Sequence, residues 1–332
     1  MTPARSEQAW SIRAHSDNGS DHVRTLTITA VLVAGAAATL TGCGNLSFGT
    51  HHEDRAYTAP PGITALKIRS GGARVEITAS DSPDIKVRER LSWSNGKNKP
   101  GPRHTVEDGT LTLSSKCARA SIGYTKCSVS YRVQVPRTTP VEVDNDDGAI
   151  VASGLAGTVK LHTDNGRLTV TDLRATTVSL DTDDGAIQVS GRAKTVNLHT
   201  DSGSINTTGL TTDRLNASTS DGSIGLGGRA TVADVRTNSG SIGGSELTSE
   251  RVTAKTDDGD IDLRLATAPS NVRATSASGT VRVHVPTDQA YAIDLSSNDG
   301  ARRIDPAVQQ DSRSGRRLVL HSNDGDVCVY PN

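Results

Sequence analysis

Large side chains are scarce in this sequence of 332 residues. Aromatic residues make up 2% of it, and it contains one Phe and one Met. Because a globular enzyme core usually relies on large side chains, we predict a thin interior built from Val, Leu, Ile, Ala and Thr. The formal net charge is −1. This charge implies no strongly charged partner, and without a basic and aromatic surface we expect no binding of nucleic acid.

Motifs that mark common catalytic and cofactor-binding sites are also missing. The sequence has no His and Cys spacing typical of zinc sites, no phosphate-binding glycine loop and no nucleophile elbow. The calcium-binding nonapeptide pattern Gly-Gly-x-Gly-x-Asp-x-x-x is absent as well. We therefore predict no catalytic residues and no cofactor, and we expect the protein not to be an enzyme.

What the sequence does contain is a repeated phrase, Thr-Asp-x-Gly-x-Ile and close relatives of it. Neighbouring turn glycines are 18 or 19 residues apart through most of the series, and the spacing widens towards the C-terminus. A period this regular is typical of a repeat architecture. The turn glycines are Gly148, Gly166, Gly185, Gly203, Gly222, Gly240, Gly259, Gly279, Gly300 and Gly325.

Apolar residues alternate with polar ones on both sides of each turn glycine. The second residue after the glycine is Ile, Leu or Val in nearly every repeat, and the fifth and seventh residues before it are Val, Leu, Ile or Ala. Alternation with period two predicts strands with one buried and one solvent-exposed face. Each repeat is therefore predicted to form a strand, a tight turn, a second strand and a short return. We expect the turn glycine to supply a positive φ.

The columns of like residues favour stacked coils over a meander of antiparallel hairpins. Stacking would place each apolar column beside itself, about 4.8 Å apart, whereas hairpins explain only the turns. The third residue before the glycine is Thr or Ser in nine repeats, from Thr163 to Ser322. This position is an even number of residues from the apolar columns and therefore points inward. We expect its hydroxyl groups to form a ladder of hydrogen bonds along the stack. The predicted fold is all-β: a parallel β-solenoid of 18–19-residue repeats with an N-terminal β cap.

The turns raise the question of a cation site. The residue before the glycine alternates between acidic and neutral, as in Asp147, Asn165, Asp184 and Ser202. If one repeat forms one coil, which we favour, neutral turns separate the acidic ones; if two repeats form one coil, acidic turns stack and need a cation. Stacked carboxylates could hold calcium, with ordinary turns as the alternative. The candidate calcium ligands are Asp146, Asp147, Asp183, Asp184, Asp257 and Asp258.

A histidine column lies on the outward face of the predicted strands. His162, His199 and His321 occupy the fourth position before the glycine, as do Asp144 and Asp181. Together they could bind a transition metal. However, His162 and His199 would be two coils, about 9.6 Å, apart, which favours a solvated strand face over a single metal site.

Residues 1–42 are predicted to be a lipoprotein signal peptide. An uncharged apolar run over residues 25–40 follows a polar segment with three arginines, and it is short for a membrane span. The run ends in Leu40-Thr41-Gly42-Cys43, which resembles the bacterial lipobox. The resemblance implies a diacylglyceryl thioether on Cys43 and attachment to the extracytoplasmic face of the cell membrane, because two acyl chains anchor a protein stably. An ordinary signal peptide or an uncleaved anchor is the alternative.

The rest of the chain divides into three predicted parts. Residues 43–61 are polar and are predicted to be a flexible tether, in which His51 and His52 would lack the fixed geometry that a metal needs. Residues 62–140 alternate irregularly and are predicted to cap the exposed strand edges of the solenoid. The solenoid itself is assigned to residues 141–332, and the final repeat is expected to close its C-terminal end.

Only four cysteines are present. In an exported chain, Cys117 and Cys127, ten residues apart, predict a disulfide. It would stabilise the fold by about 2–3 kcal/mol. Cys328 is then either a buried thiol in the last strand or the true partner of one of the other two.

The repeats, the Val133-Gln-Val-Pro136 segment before them and the Asp, Asn or Ser before each glycine resemble a known bacterial family over residues 60–332. This is the putative adhesin family of β-strand-repeat proteins, a domain of unknown function, and the resemblance implies no catalytic residues. The hypothesis is a non-enzymatic surface lipoprotein whose solenoid binds a wall polymer, glycan or protein.

Two alternatives to this hypothesis remain. The first is a structural or signalling accessory of the envelope, with a protein docked on the strand face or at an open end. The second is a carbohydrate-active β-helix enzyme. The uniform turn carboxylates argue against it, because glycoside hydrolysis needs two carboxyl groups in distinct environments.

Overall fold

The computed structural model describes residues 50–94, 96–117 and 126–332. These residues form 24 strands and one 3₁₀ turn without any α-helix, so the all-β prediction is confirmed. None of them forms a helix with the length and hydropathy of a membrane span. The predicted signal peptide, residues 1–42, and Cys43 lie outside the described residues.

Seven strands precede the glycine repeats, and the others belong to them. The first seven are β1 (His51–Thr58), β2 (Ala65–Ser70), β3 (Val75–Ser80), β4 (Lys86–Trp93), β5 (Gly101–Glu107), β6 (Thr110–Lys116) and β7 (Cys127–Pro136), with the 3₁₀ turn at Gly96–Asn98. The next nine are β8 (Val141–Asp147), β9 (Ile150–Ser153), β10 (Val159–Asn165), β11 (Leu168–Thr182), β12 (Ile187–Thr200), β13 (Ile205–Asn206), β14 (Leu210–Thr219), β15 (Ile224–Ser239) and β16 (Ile242–Thr248). The last eight are β17 (Arg251–Asp258), β18 (Ile261–Leu265), β19 (Asn271–Ser276), β20 (Val281–Val285), β21 (Ala292–Ser297), β22 (Arg302–Ile304), β23 (Arg317–Ser322) and β24 (Val327–Pro331).

Parallel pairing places equivalent residues of successive repeats side by side. Before the turn glycine, Val159 lies between Val141 and Val178; this ladder is called face A. After the glycine, Leu168 pairs with Ile187, and this ladder is called face B. One repeat therefore forms one coil, and the antiparallel meander is not the observed arrangement.

The interior between faces A and B is filled by the apolar columns. Val178, Leu180, Ile187 and Val189 of one coil are each at most 1% exposed, and the corresponding residues of the neighbouring coils are buried in the same way. Equivalent side chains of successive coils lie one strand spacing apart. Small and branched side chains can pack closely against one another at this distance and fill the narrow space.

The Thr and Ser column is buried as predicted, but its hydrogen-bond partners differ from the prediction. The hydroxyl of Thr182 donates to the carbonyl oxygen of Gly166 at 3.1 Å, and that of Thr200 donates to Gly185 at 3.0 Å. Like positions on paired strands are about 4.8 Å apart, which is too far for a hydrogen bond between hydroxyls. The glycine carbonyl of the neighbouring coil lies within reach, so it takes the bond instead.

The reason for glycine at the turns also differs from the prediction. Among the ten turn glycines only Gly148 has a positive φ. At Gly185 an added Cβ would overlap the carbonyl oxygen of Gly166, and Gly203 meets Gly185 in the same way. Glycine is therefore required by the close stacking of successive turns rather than by a left-handed backbone.

The prediction of a flexible tether over residues 43–61 is wrong for residues 51–58. These form β1, which pairs antiparallel with β4 along its whole length. Most of its side chains are exposed, so the strand lacks the apolar alternation that would have revealed it. It is held by the main-chain ladder and by ion pairs such as Arg90 with Asp54 at 2.7 Å.

At the N-terminal end, the spatial order of coils differs from the chain order. Strand β2 lies between β6 and β8, and β3 lies between β7 and β9. The β6–β7 coil is therefore outside the β2–β3 coil, although it comes later in the chain. Antiparallel β5 covers the edge of β6, and antiparallel β4 and β1 cover the edge of β7. The predicted cap region 62–140 thus continues the solenoid's ladders.

The same inversion occurs at the C-terminal end. Strand β23 lies between β19 and β21, and β24 lies between β20 and β22. The prediction that the final repeat closes this end is therefore wrong, because β21 and β22 form the outermost coil. The segment between β22 and β23 allows this order, since it is long enough to carry the chain back to an inner position.

Candidate functional site

A shallow, open groove of about 460 Å³ lies on the outer surface of face A. It spans four successive coils in the middle of the repeat region. Its walls are the outward side chains at the sixth and fourth positions before the turn glycine. The polar residues that line it are Ser179, Asn197, Asn216, Asp234, Asp181, His199, Ser218 and Arg236.

Strand geometry places these residues together although they are far apart in the sequence. Alternation turns them away from the buried Val and Leu columns. Parallel pairing then puts Asn197 beside Asn216, and His199 beside Ser218. Two polar columns therefore run along the solenoid, one on each side of the groove.

Neighbouring side chains in these columns bond to one another. The Nδ2 of Asn216 donates to Oδ1 of Asn197 at 2.7 Å, and Nδ1 of His199 lies 2.9 Å from the Ser218 hydroxyl. These bonds restrict the rotamers of half-buried and exposed side chains, and a surface ordered in this way pays less entropy on binding. The groove therefore presents ordered amide, hydroxyl and imidazole groups.

The predicted histidine column is only partly brought together. His162 Nδ1 lies 3.3 Å from Asp181, while His199 Nε2 lies 3.3 Å from Asp201. His321 is near the C-terminal end, where its ring bonds to Ser296 at 2.8 Å. No cluster of three or more His, Cys, Asp or Glu side chains suited to a metal ion occurs in residues 50–94, 96–117 and 126–332.

The six candidate calcium ligands lie at three separate turns. The turn at Asp146 and Asp147 is two coils from that at Asp183 and Asp184, and Asp257 and Asp258 lie four coils further along.

Hydrogen bonds already engage several oxygens at these turns. Asp147 accepts a bond from the Asn165 amide at 2.8 Å. The carbonyl oxygen of Asp183 accepts from the main-chain N–H of Ser202 at 2.8 Å. These oxygens stabilise the stacking of turns.

Asp146 differs electrostatically from a uniform turn carboxylate. Partial burial raises the pKa of its carboxyl group, and the nearby Asp164, Asp144 and Asp147 raise it further. A Cβ added to Gly71 in the adjacent coil would lie 3.5 Å from Asp146 Oδ2, so the Asp146 turn packs closely against the turn that contains Gly71. Sequence periodicity could not distinguish Asp146, because the difference comes from the irregular coil beside it.

The repeats and the preceding strands match one family model, Toastrack DUF4097. The model matches residues 63–229 and again residues 192–329. The chain belongs to the Toastrack DUF4097 family. This is a domain of unknown function with a β-solenoid-like repeat.

Solved structures similar to this Toastrack chain share little sequence with it. A putative adhesin from Parabacteroides distasonis is 15% identical, with 84% of this chain and 97% of that chain covered and a TM-score of 0.46. A putative adhesin from Parabacteroides merdae is 16% identical, with 84% and 95% covered and a TM-score of 0.45. A putative lipid binding protein from Parabacteroides distasonis is 12% identical, with 83% and 96% covered and a TM-score of 0.44. No curated protein matches the chain.

The cysteines of the Toastrack region divide into a bonded pair and a free thiol. Cys117 and Cys127 form a disulfide with Cα atoms 5.8 Å apart. Cys328 is free and buried in β24, so it is not the partner of either. Cys43, the candidate for lipidation, lies before the described residues.

A buried polar cluster in the first Toastrack match was missed by sequence reasoning. The side chain of Glu89 in β4 is fully buried, and His104 of β5 lies 2.7 Å from its Oε1. Burial and the charge of Glu89 raise the pKa values of Tyr57 and Tyr131 well above the ordinary range. The available signal was parity, because Glu89 occupies an inward position between Val87 and Leu91.

Proposed function

We propose that this protein is an exported, lipid-anchored binding module of the bacterial envelope. In this proposal Cys43 carries the lipid, the protein lies on the extracytoplasmic face of the cell membrane, and the solenoid holds a ligand without catalysing a reaction. The lipobox resemblance supports the anchor. Membership of the Toastrack DUF4097 family is consistent with the proposal but assigns no activity.

The groove on face A supports the binding role. Its ordered amides and hydroxyls offer both donors and acceptors, and its walls repeat at the spacing of strands, about 4.8 Å. Such a surface suits an extended, hydroxyl-rich chain that lies along the solenoid. A wall polymer or glycan is therefore the proposed ligand class.

The test mixes the chain from residue 44 onward with purified cell wall, and the pelleted protein and newly released sugar ends are measured. Saturable pelleting without sugar release is the expected result. Asn197→Arg fills the groove and should weaken pelleting roughly tenfold, the loss of about one net hydrogen bond. Gln188→Arg is the matched control, since it adds the same side chain to the same strand, β12, at an exposed position on face B.

Other outcomes would redirect the proposal. Equal pelleting of both variants would remove the groove as the binding site. Sugar release above a heat-inactivated control would contradict the non-enzymatic assignment. Loss of pelleting in the presence of a calcium chelator would indicate that binding needs calcium, with the turn aspartates as the candidate ligands.

A protein partner is the second candidate function. The outermost C-terminal coil leaves the outer edges of β21 and β22 without a paired strand in the part of the chain that the structure describes. Its apolar residues Ile293 and Leu295 are only partly buried. An accessory protein could add a strand there. Absence of both pelleting and sugar release would favour this role.

A further inference from the structure

The small net charge hides a strong separation of charge along the chain. Residues 50–135 contain 14 Lys and Arg against 8 Asp and Glu, whereas residues 136–332 contain 19 against 26. The N-terminal end of the solenoid is therefore basic, and the remainder is acidic. Such an arrangement orients a molecule in the field of a charged surface.

The basic end includes four exposed lysines on neighbouring chain segments, named here the lysine corner: Lys97, Lys99, Lys116 and Lys126. The disulfide holds two of them near each other, because Lys116 precedes Cys117 and Lys126 precedes Cys127.

The loop that carries the other two lysines is fastened to the same place. The Asn98 amide donates to the Lys126 carbonyl oxygen at 3.0 Å, and the main-chain N–H of Lys126 donates to the Ser94 hydroxyl at 3.1 Å. The fold therefore builds this concentration of positive charge from three chain segments.

An aromatic residue lies at the lysine corner, beside the start of the first strand. Trp93 pairs in register with His51, and their rings stack with centroids 5.6 Å apart. Lys99 Nζ lies 4.9 Å from the centroid of the Trp93 ring. Glu53 also lies at this corner, where it pairs with Lys99 at 2.6 Å and with Arg55 at 2.7 Å.

The position of the corner relative to the proposed lipid is set by chain length. Eight peptide steps separate Cys43 from His51, so a fully extended chain spans at most about 28 Å. A lipid on Cys43 would therefore hold this corner close to the bilayer. Tryptophan and lysine are the side chains expected where a protein meets the membrane interface.

We propose that the lysine corner and Trp93 form a docking surface for anionic lipid headgroups. The proposal rests on membrane anchoring through Cys43. Docking would set the basic end on the bilayer and turn the acidic solenoid, with its groove, away from it. Each lysine near an anionic surface strengthens binding about fivefold, so even with Lys99 paired to Glu53 the corner turns a loose tether into a defined orientation.

The test uses the chain from residue 44 onward, which carries no lipid. Vesicles of equal parts phosphatidylcholine and phosphatidylglycerol are compared with vesicles of phosphatidylcholine alone. Trp93 is the single tryptophan after residue 43, so its fluorescence reports on this corner directly. We expect sedimentation with the anionic vesicles only, a blue shift of the emission, and release at high salt.

A charge-matched pair of variants locates the surface. Glu53 already offsets the charge of Lys99, so three factors of about five remain, and replacing the four corner lysines by Gln should weaken binding to anionic vesicles about a hundredfold. The control replaces Arg273, Arg302, Arg303 and Arg313, all exposed and near the other end, by Gln. This control should retain binding, and thermal unfolding of both variants verifies that they fold.

Three results would overturn the proposal. These are equal binding of the two variants, equal binding to neutral vesicles, and wall binding that depends on the four lysines without vesicle binding. The last result would assign the corner to an anionic polymer. Pelleting with cell wall through the groove is measured separately on the same variants, so failure of docking is distinguishable from failure of the proposed function.

Discussion

Nine of the ten turn glycines face the carbonyl oxygen of the turn glycine in a neighbouring coil, and Gly148 faces that of Ala73. At Gly203 an added methyl group would overlap the Gly185 carbonyl oxygen, so the stacked turns would have to separate. We predict that Gly203→Ala lowers the free energy of unfolding by about 2 kcal/mol, measured by urea denaturation. Gly243→Ala is the matched control, since a Cβ there meets nothing within 4 Å. Equal stability of the two variants would contradict the stacking explanation.

The raised pKa of Asp146 predicts a pH-dependent effect on stability. The folded state binds the proton more readily than the unfolded state, so the charged carboxylate destabilises the fold above the folded-state pKa. This cost disappears below the ordinary value of 3.8, where both states are protonated. Because Asp146 is only slightly buried and solvent screens its charge, we expect Asp146→Asn to stabilise by only a few tenths of a kcal/mol at neutral pH.

Unfolding measured at neutral and at acidic pH checks this prediction, with Asp213→Asn on the return side of a coil as the control. A gain of the same size at both pH values would show that the effect is unrelated to the charge of Asp146.

Parity in the sequence predicts where a side chain points but not what it meets. It correctly placed Thr182 and Thr200 inside, and the burial of the apolar columns followed from the same rule. It could not identify Gly166 and Gly185 as their acceptors, because that depends on how successive turns stack. Likewise it gave the outward columns of face A but not the groove, because the groove is formed by side chains of four coils that are distant from one another in the sequence.

Between elements, the Glu89–His104 contact joins β4 to β5 in the N-terminal cap. Removing the imidazole leaves the buried Glu89 carboxylate without its nearest partner. We predict that His104→Ala costs about 3 kcal/mol of stability, and that adding Glu89→Gln to it restores part of the loss. A double-mutant cycle by chemical denaturation measures this coupling, and the exposed His199→Ala is the control. Independent, additive effects of the two changes would contradict it.

Strand β1 shows where element prediction fails. Its sequence, His-His-Glu-Asp-Arg-Ala-Tyr-Thr, has no apolar face, so it is predicted to be a tether rather than a strand. Its order comes from an eight-residue ladder with β4 and from charges that pair across it. Such partners are distant in sequence and leave no local periodicity.

For the whole molecule, the order of coils predicts an unusual response to truncation. Deleting residues 317–332 removes β23 and β24, and with them the only strands that pair with β21 and β22 in the described part of the chain. We predict that trypsin then cleaves rapidly at Arg302 and Arg303. A chain that ends at residue 285 is the control, because it stops cleanly after β20. Protection of residues 286–316 in the first truncation would contradict the observed order.

The inner position of the last repeat also determines the order in which the coils can assemble. As far as β20, each new coil can pair with a coil that comes earlier in the chain, but the next strands, β21 and β22, belong one layer further out. In the described part of the chain, these two strands have no paired strand until β23 and β24 insert between them and β19 and β20. Assembly of the described coils therefore finishes only when residues 317–331 are in place, and a chain that stops before them retains two open, aggregation-prone strand edges.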